Sequence, residues 1–462
     1  MKLIFDVSDK PKAGQLVVFA LQQMLAILAA TIAVPLIIGK GLTPAAAMFG
    51  AGVGTIVYIL FTKRKSPVFL GSSFAFLGSM AAAFAGGVSM QLGMLGLIVG
   101  AFLAGLVYVV IAIVVKFVGV GWLNKLMPAV VIGPTVAIIG LSLAGNAIGD
   151  LVKGDVTKQV TEYAVSTDSG TPEIIETVSN VPVGSSYVAL ICGLITLAVV
   201  MLCSTYGKKT LRLIPFIIGI LAGYAAAAIF TVIGNICDID ALKIVDFSVF
   251  SSYMLTDGSV SLKTFVSLPD FAFVSGLKGL KEFDFTYFAT IFVAYVPVAL
   301  VVFAEHVADH KNLSSIIDHD LLEEPGLTRT LLGDGVGSIA GALFGGCPNT
   351  TYGESVACVA ITGNASVVTI FAAAIGCMLF SFITPLVAFV DSIPACVMGG
   401  VCIALYGFIA VSGLKMIQDA NLDDNRNLFV VSVILIAGIG GLTLTFGDIT
   451  LTEVAAALIL GI

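Results

Sequence analysis

The chain has 462 residues, of which 58% are hydrophobic and only 11% are charged, and its formal net charge is −7. A soluble domain carries roughly 25% charged residues, so a water-facing globule is excluded, and the same apolar excess excludes disorder. The acidic balance leaves no electrostatic footprint for nucleic acid, and a mean hydropathy of +1.08 points to a chain that crosses a bilayer many times.

Apolar runs bounded by charge or turn residues predict fourteen segments. They lie at about 15–38, 45–62, 67–83, 92–115, 127–146, 185–204, 213–234, 285–308, 330–345, 351–361, 366–390, 394–411, 428–445 and 450–462. The residues before the first run lack the n-region, h-region and cleavage site of a signal peptide, so that run is expected to act as its own insertion signal. Polar stretches at 150–182 and at about 235–284 separate segments 5 from 6 and 7 from 8. With the N-terminus inside, most of the 22 basic residues fall in inner loops, Lys63, Arg64, Lys65, Lys208, Lys209 and Arg212 among them. The outer side keeps Lys40 and six lysines confined to the two long polar stretches, Lys153, Lys158, Lys243, Lys263, Lys278 and Lys281. That bias fits an even number of spans with a cytoplasmic N-terminus.

Segments 3 and 10 are abnormal. The third reads Phe69-Leu70-Gly71-Ser72-Ser73-Phe74-Ala75-Phe76, and the tenth region reads Pro348-Asn349-Thr350-Thr351-Tyr352-Gly353-Glu354. Neither makes a comfortable helix in lipid, and broken backbone at membrane depth survives only where protein or a cavity shields it. They are the third segment of each seven-segment half. Seven is odd, so the halves would be inverted, and paired interruptions in inverted halves point to a transporter's binding site.

Charge narrows the site further. Glu305 ends the run Val298–Ala304, and Glu354 lies inside segment 10. A carboxylate in the hydrocarbon region costs roughly 2.5–3.5 kcal/mol on insertion scales, which argues for a task; the bland alternative places Glu305 at the inner interface. Asp309 follows Glu305 by four residues and shares its helical face, a pairing suited to carrying a proton. Asp334 reads as an interfacial or helix-end carboxylate, Glu453 as an outer-surface one, and His310 as part of a charged inner loop. His306 and His310 are spaced i, i+4, but there is no HExxH, so a metal site is disfavoured. The eight cysteines (Cys192, Cys203, Cys237, Cys347, Cys358, Cys377, Cys396, Cys402) form no CxxC pair and read as small hydrophobes. Gly337, Gly341 and Gly345, like Gly96 and Gly100, are spaced for close helix approach. Gly50-x-Gly52-x-Gly54 lies in an apolar span, so it too reads as helix packing rather than a nucleotide loop.

The stretches Leu70-Gly-Ser-Ser-Phe74-Ala-Phe76, Phe303-Ala-Glu305-His-Val, Glu324-Pro-Gly-Leu327 and Pro348-Asn-Thr-Thr-Tyr-Gly-Glu354 together resemble the nucleobase–ascorbate transporter (nucleobase:cation symporter-2) family, and within it the bacterial uracil permeases. The resemblance runs from about Leu16 to the end. It implies an all-α polytopic membrane protein of fourteen segments in two inverted seven-segment repeats, with short extended strands in segments 3 and 10. Residues 1–120 and 285–392 would form a core domain, and residues 121–284 and 393–462 a gate domain. Uracil would bind between the strands and enter with a proton, with no cofactor and no catalytic residues, in a protein of the inner or plasma membrane that commonly forms homodimers. By resemblance, Glu305 and Glu354 hold the base, backbone groups of Phe74 and Gly353 complete the contacts beside Tyr352, Ala30 lines the pocket, and Tyr406 faces it from the gate domain. Glu305 and Asp309 would carry the proton; some uracil permeases have His where this chain has Asp309. The chemistry agrees, since uracil's edge alternates N–H donors with carbonyl acceptors. Purine or xanthine symport on the same fold, a sulfate-type anion carrier and an integral membrane enzyme are the competing readings. Acidic site residues oppose the anion carrier, and the absence of a nucleophile or metal constellation opposes the enzyme.

Overall fold

A computed structural model of the protein describes residues 3–119, 122, 128–166, 173–208, 211, 214–254, 259–418, 420–446 and 449–461. The domain boundary expected at 120/121, and Lys2, Lys125, Lys209 and Arg212 of the basic residues assigned to the inner side, lie outside the described residues.

Eight helical stretches are long and apolar enough to cross a membrane among the described residues. Helices α1 (Ala13–Ile38) and α2 (Pro44–Phe61) come first. The Thr43 side chain accepts from Ala46 N and Pro44 opens the helix, so α2 begins sharply. The next segment is not a continuous helix. It runs as strand β1 (Leu70–Ser72), a 3-10 turn (Phe74–Phe76) and helix α3 (Leu77–Ala82). Helix α4 (Met90–Val118) follows, capped by Ser89. Helices α5 (Ala129–Ser142) and α6 (Ala144–Leu151) together make one span with a break at Leu143. The stretch expected only to be polar then forms a hairpin, β2 (Thr157–Ser166) paired antiparallel with β3 (Glu173–Pro182). Helices α7 (Ser186–Tyr206) and α8 (Pro215–Cys237) follow.

After α8 come the short helices α9 (Ser248–Met254) and α10 (Ala272–Gly276), then α11 (Phe285–Ile317), capped by Asp284. Helix α11 continues well past the expected end at about 308, so His310 is a helical residue, 1% exposed, and not part of a loop. Polar residues such as Lys311 and Asn312 end the hydropathy signal without ending the backbone ladder. Helix α12 (Leu327–Gly345) leads into strand β4 (Asn349–Thr351) and helix α13 (Gly353–Thr362). The segment expected at 366–390 is broken into α14 (Val367–Phe380) and α15 (Thr384–Asp391), with Pro385 in the first turn of the second piece. Helices α16 (Ala395–Ile417) and α17 (Asn425–Ile439) are continuous. The final segment is a small hairpin, β5 (Leu444–Phe446) with β6 (Ile449–Leu451), followed by α18 (Glu453–Gly461).

Helix packing falls into two sets. In one, α12 packs on α2 and α4, α14 on α1 and α2, and α11 on α4. In the other, α16 packs on α5, α6 and α7, α7 on α8, and α17 on α5 and α18. Small residues set the closest approach in the first: a Cβ on Gly54 would lie 2.8 Å from Gly337 O, and one on Gly345 would lie 2.8 Å from Ala46 O. Backbone-to-backbone contact of this kind supplies packing where lipid gives no hydrophobic drive. The substitution Gly337→Ala is therefore expected to cost about 1–3 kcal/mol through overpacking. Gly407→Ala, where a Cβ meets nothing within 4 Å, is expected to be neutral. Thermal denaturation in detergent compares the two, and equal midpoints would remove the close-approach argument.

The N-terminal segment fastens onto the loop after α13. Ile4 N donates to Gly363 O at 2.7 Å, Ala365 N to Phe5 O at 2.9 Å, and Ser366 Oγ to Asp9 O at 2.6 Å. Asp155, between α6 and β2, accepts the N–H of Ala395 at the start of α16 at 3.1 Å. Burial pushes this carboxyl up from 3.8 to about 6, with Asp246 and Asp150 adding to the effect. A raised folded-state value means that protonation favours the fold. The stability contributed is fully present below pH ~4 and is lost as pH rises through about 6. Asp155→Asn keeps the acceptor for Ala395 N. It is expected to raise the neutral-pH unfolding midpoint and flatten its dependence between pH 4 and 6; an unchanged slope would exclude Asp155 as its source.

Candidate substrate site

Strands β1 and β4 pair antiparallel, Leu70 opposite Thr351, Gly71 opposite Thr350 and Ser72 opposite Asn349. All six residues are buried. Extended backbone here has no helical ladder, so its polar groups are satisfied across the pair and from neighbouring helices. Leu70 N donates to Thr55 Oγ1 at 2.9 Å, Ser73 N to Pro348 O at 2.9 Å, and Asn349 N to Ser338 Oγ at 2.9 Å. Ser355 Oγ accepts Phe69 N at 3.0 Å and also the side-chain amide of Gln23 on α1. The two interrupted segments are thus locked to each other and to α1, α2 and α12.

Each strand delivers the chain into a helix start, at Phe74 and at Gly353, and neither start has a side-chain cap. The first N–H groups of a helix have no partner within it, and they carry the positive end of the helix dipole. Phe74, Ala75, Gly353 and Glu354 all line a recess of about 40 Å³ with Ser73, Thr350, Thr351, Tyr352, Val136, Ile139, Ile409 and Glu305. The recess adjoins a cavity of about 370 Å³, which shares Val136, Glu305, Gly353, Glu354 and Ile409. The cavity also takes in Asp309 and Ala26 on one side and Leu405, Phe408, Ser412 and Met416 of α16 on the other. It reaches Ser204 and Pro215 at the α7–α8 junction. At the far end Phe74 meets Tyr406 edge to face, ring centroids 5.8 Å apart.

The site therefore brings Glu305, Asp309, Gly353 and Glu354 onto one cavity and Phe74 and Tyr352 onto its recess. Among the described residues, three carboxylates and no Lys or Arg line these spaces. Asp309 is held by Thr351 Oγ1, which donates to Oδ2 at 2.8 Å. Among the described residues no side-chain hydrogen bond ties Glu305 or Glu354 to another residue, which leaves both free to accept from a ligand. Tyr352 donates to Ser72 O at 2.7 Å and so braces the strand pair. Tyr406 closes on Phe74 and is 2% exposed. Ala30 is packed inside at 1% exposed, and Ala26, one turn earlier on α1, forms that part of the wall. The contributions of Val136, Phe408, Ile409 and Ser412 had no sequence signal beyond their place in apolar runs.

Behind the carboxylates is a network that the sequence did not reveal. Asp334 is not an interfacial carboxylate: it is 0% exposed, and its Oδ2 lies 2.6 Å from His306 Nδ1. His306 Nε2 lies 3.0 Å from Thr330 Oγ1. His310 Nδ1 donates to His306 O at 2.7 Å, so its Nε2 accepts from Tyr58 Oη at 2.6 Å, and Tyr58 Oη in turn lies 2.7 Å from Ser66 Oγ. All four ring nitrogens are engaged, so neither histidine is available to a metal. The helix thus presents Glu305 and Asp309 to the cavity and pins its other side to α12 and α2.

The family model described as a permease family, Xan_ur_permease, matches residues 14–179 and 169–446. The chain belongs to this family. Its curated relatives include the uracil permease of Bacillus caldolyticus, 36% identical over 100% of this chain and 94% of the relative. The uracil permease of Escherichia coli (strain K12) is 33% identical over 99% of this chain and 92% of the relative. These relatives are permeases, so this family member is a multi-pass membrane transporter and not an enzyme. Among solved structures, the transmembrane domain of the cyanobacterial bicarbonate transporter BicA superposes with a TM-score of 0.61, at 13% identity over 99% of this chain and 100% of that one. SLC26A9 gives the same score at 12% identity, over 98% of this chain and 65% of that one. At such identities the likeness is one of fold, and it places this permease in a helical membrane-transporter architecture.

Proposed function

We propose that this permease imports uracil together with a proton by alternating access. Fourteen segments would form two inverted repeats, in which the set around α1, α2, α4, α11, α12 and α14 moves against the set around α5, α7, α8 and α16. The reading is supported above all by one observation: Glu305, Glu354 and the uncapped helix starts at Phe74 and Gly353 converge on one recess. Carboxylates accept from uracil's ring N–H groups, backbone N–H groups donate to its carbonyls, and Phe74 offers a ring face or edge. The names of the curated relatives support the same substrate. The three site carboxylates oppose an anionic substrate, whatever the fold neighbours carry. With the N-terminus cytoplasmic, the cavity mouth at Ser204, Pro215 and Met416 is on the inner side, and the Phe74–Tyr406 contact closes the outer route. The permease needs no cofactor in this reading, and a homodimer is the assembly the family resemblance favours.

Radiolabelled uracil uptake into proteoliposomes, with and without an inward proton gradient, tests the proposal. Gradient-stimulated uptake that xanthine does not compete is expected. Uptake indifferent to the gradient would refute proton coupling, and xanthine competition would shift the substrate class. Asp309 lines the cavity but is already held by Thr351. Asp309→Asn is therefore expected to leave uracil affinity within about threefold while weakening gradient stimulation; fully retained stimulation would remove Asp309 from the coupling step.

A further inference from the structure

The outer stretch before α11 ends in α10 and a 3-10 turn, Leu277–Lys281, seated on the start of α4. A Cβ on Gly279 would lie 2.5 Å from Gln91 O, and one on Gly276 would lie 3.3 Å from Leu95 N. Residues i and i+3 of a 3-10 helix eclipse each other, so Leu277 and Leu280 share one face, and Lys278 and Lys281 share the next. Beside them is a groove of about 340 Å³ lined by Leu95, Ile98, Phe273, Leu277, Leu343 and Phe344, all apolar. Its floor is preformed: Phe344 contacts Phe271 and Phe49 with ring centroids 5.3 and 5.1 Å apart. Its sides are open, with Leu277 60% and Leu343 38% exposed. Among the described residues neither lysine has an ion pair. Of the nearby acids, Asp284 is occupied capping α11 through Tyr287 N at 2.7 Å, and Glu282 lies beyond the turn.

We propose that this groove binds the acyl chain of an anionic phospholipid whose phosphate rests on Lys278 and Lys281. Depth supports this occupant. The turn carrying the lysines touches Gln91 in the first turn of α4, whereas Leu95 and Ile98 lie one to two turns further in, roughly 5–10 Å deeper at 1.5 Å per residue. That is the order of a phospholipid, with its phosphate at the interface and its chain beneath. Basic side chains at the surface attract anionic headgroups, and an apolar groove at hydrocarbon depth takes a chain at no polar cost.

Native mass spectrometry of the full chain in neutral detergent tests it, with phosphatidylglycerol and phosphatidylcholine of identical chains as probes. Phosphatidylglycerol is expected to be retained on the order of tenfold better. K278Q/K281Q is expected to lose that preference, and L343W, which fills the groove, is expected to lower retention of both lipids. Circular dichroism of each variant confirms that it is folded. Equal retention of the two lipids by the unaltered protein, or an undiminished preference in K278Q/K281Q, overturns the proposal. So does L343W changing the oligomer mass while leaving lipid retention unchanged, which would assign the groove to a second copy of the chain.

Discussion

Replacing Glu354 by Gln is expected to abolish measurable uracil binding while the protein still folds. Glu354 stands in the first turn of α13, where a helix N-terminus favours negative charge, and it lines both the cavity and its recess. A hydrogen bond to a charged acceptor is worth about 1.5–3 kcal/mol, so losing the charge alone weakens binding by roughly 10- to 150-fold at 1.4 kcal/mol per decade. The amide is worse than uncharged. Turned one way it presents an N–H₂ donor to uracil's own N–H, leaving two buried donors facing each other without acceptors. The fold should tolerate the change because the substitution is nearly isosteric and no described side-chain partner depends on the carboxylate. Calorimetry on the purified variant decides the matter. Binding within threefold of the unaltered protein would take Glu354 out of the site. Glu305→Gln should behave in the same way, since it lines the same two spaces from α11. Asp309→Asn should not, because Thr351 already occupies that carboxylate.

The contrast between Glu305 and Asp334 shows what a single sequence can reveal. Glu305 and Glu354 stood out because each interrupts apolar or irregular sequence at membrane depth, where an unassigned charge is costly. Gly71, Ser72, Pro348 and Asn349 betrayed the broken segments in the same way, by residue types that do not suit a lipid-facing helix. Asp334 gave no such signal. It follows Leu331-Leu332-Gly333 near Arg329, which reads as the polar end of a span, and its partner His306 is 28 residues earlier. The i, i+4 pair His306 and His310 is the available clue: on the face next round the helix from Glu305 and Asp309, it needs partners on other helices, and hydropathy cannot name them. The same limit explains α11. Its outline was drawn from apolarity, yet backbone hydrogen bonds carry it on to Ile317 through polar residues. Ala26 against Ala30 is a matter of one helical turn, and it is settled by how α1 packs against α13 and α14 rather than by either residue's type.

Breaking the His306–Asp334 hydrogen bond is expected to lower the stability of the fold. Both side chains are 0% exposed and 2.6 Å apart, and Asp334 Oδ1 has no other partner among the described residues. Removing one member leaves the other's polar group buried without its hydrogen-bond partner, which costs about 1–3 kcal/mol. Asp334→Ala and His306→Ala should each lower the unfolding midpoint strongly. Replacing both with apolar residues of similar size, as in H306F/D334L, should cost much less than the sum, since no polar group is then stranded. Thermal unfolding of the two single variants and the double variant in one detergent measures the coupling. Additive losses would mean that the two side chains stabilise their helices independently. Function separates a further possibility. His306 adjoins Glu305, and its contacts with Asp334 and Thr330 fix how α11 is rotated against α12. If that rotation aims Glu305 at the recess, the double variant will be folded yet bind uracil weakly, with affinity lost more than stability. If its uracil affinity is normal, the pair serves the fold alone, and Glu305 is oriented by α11's packing on α4.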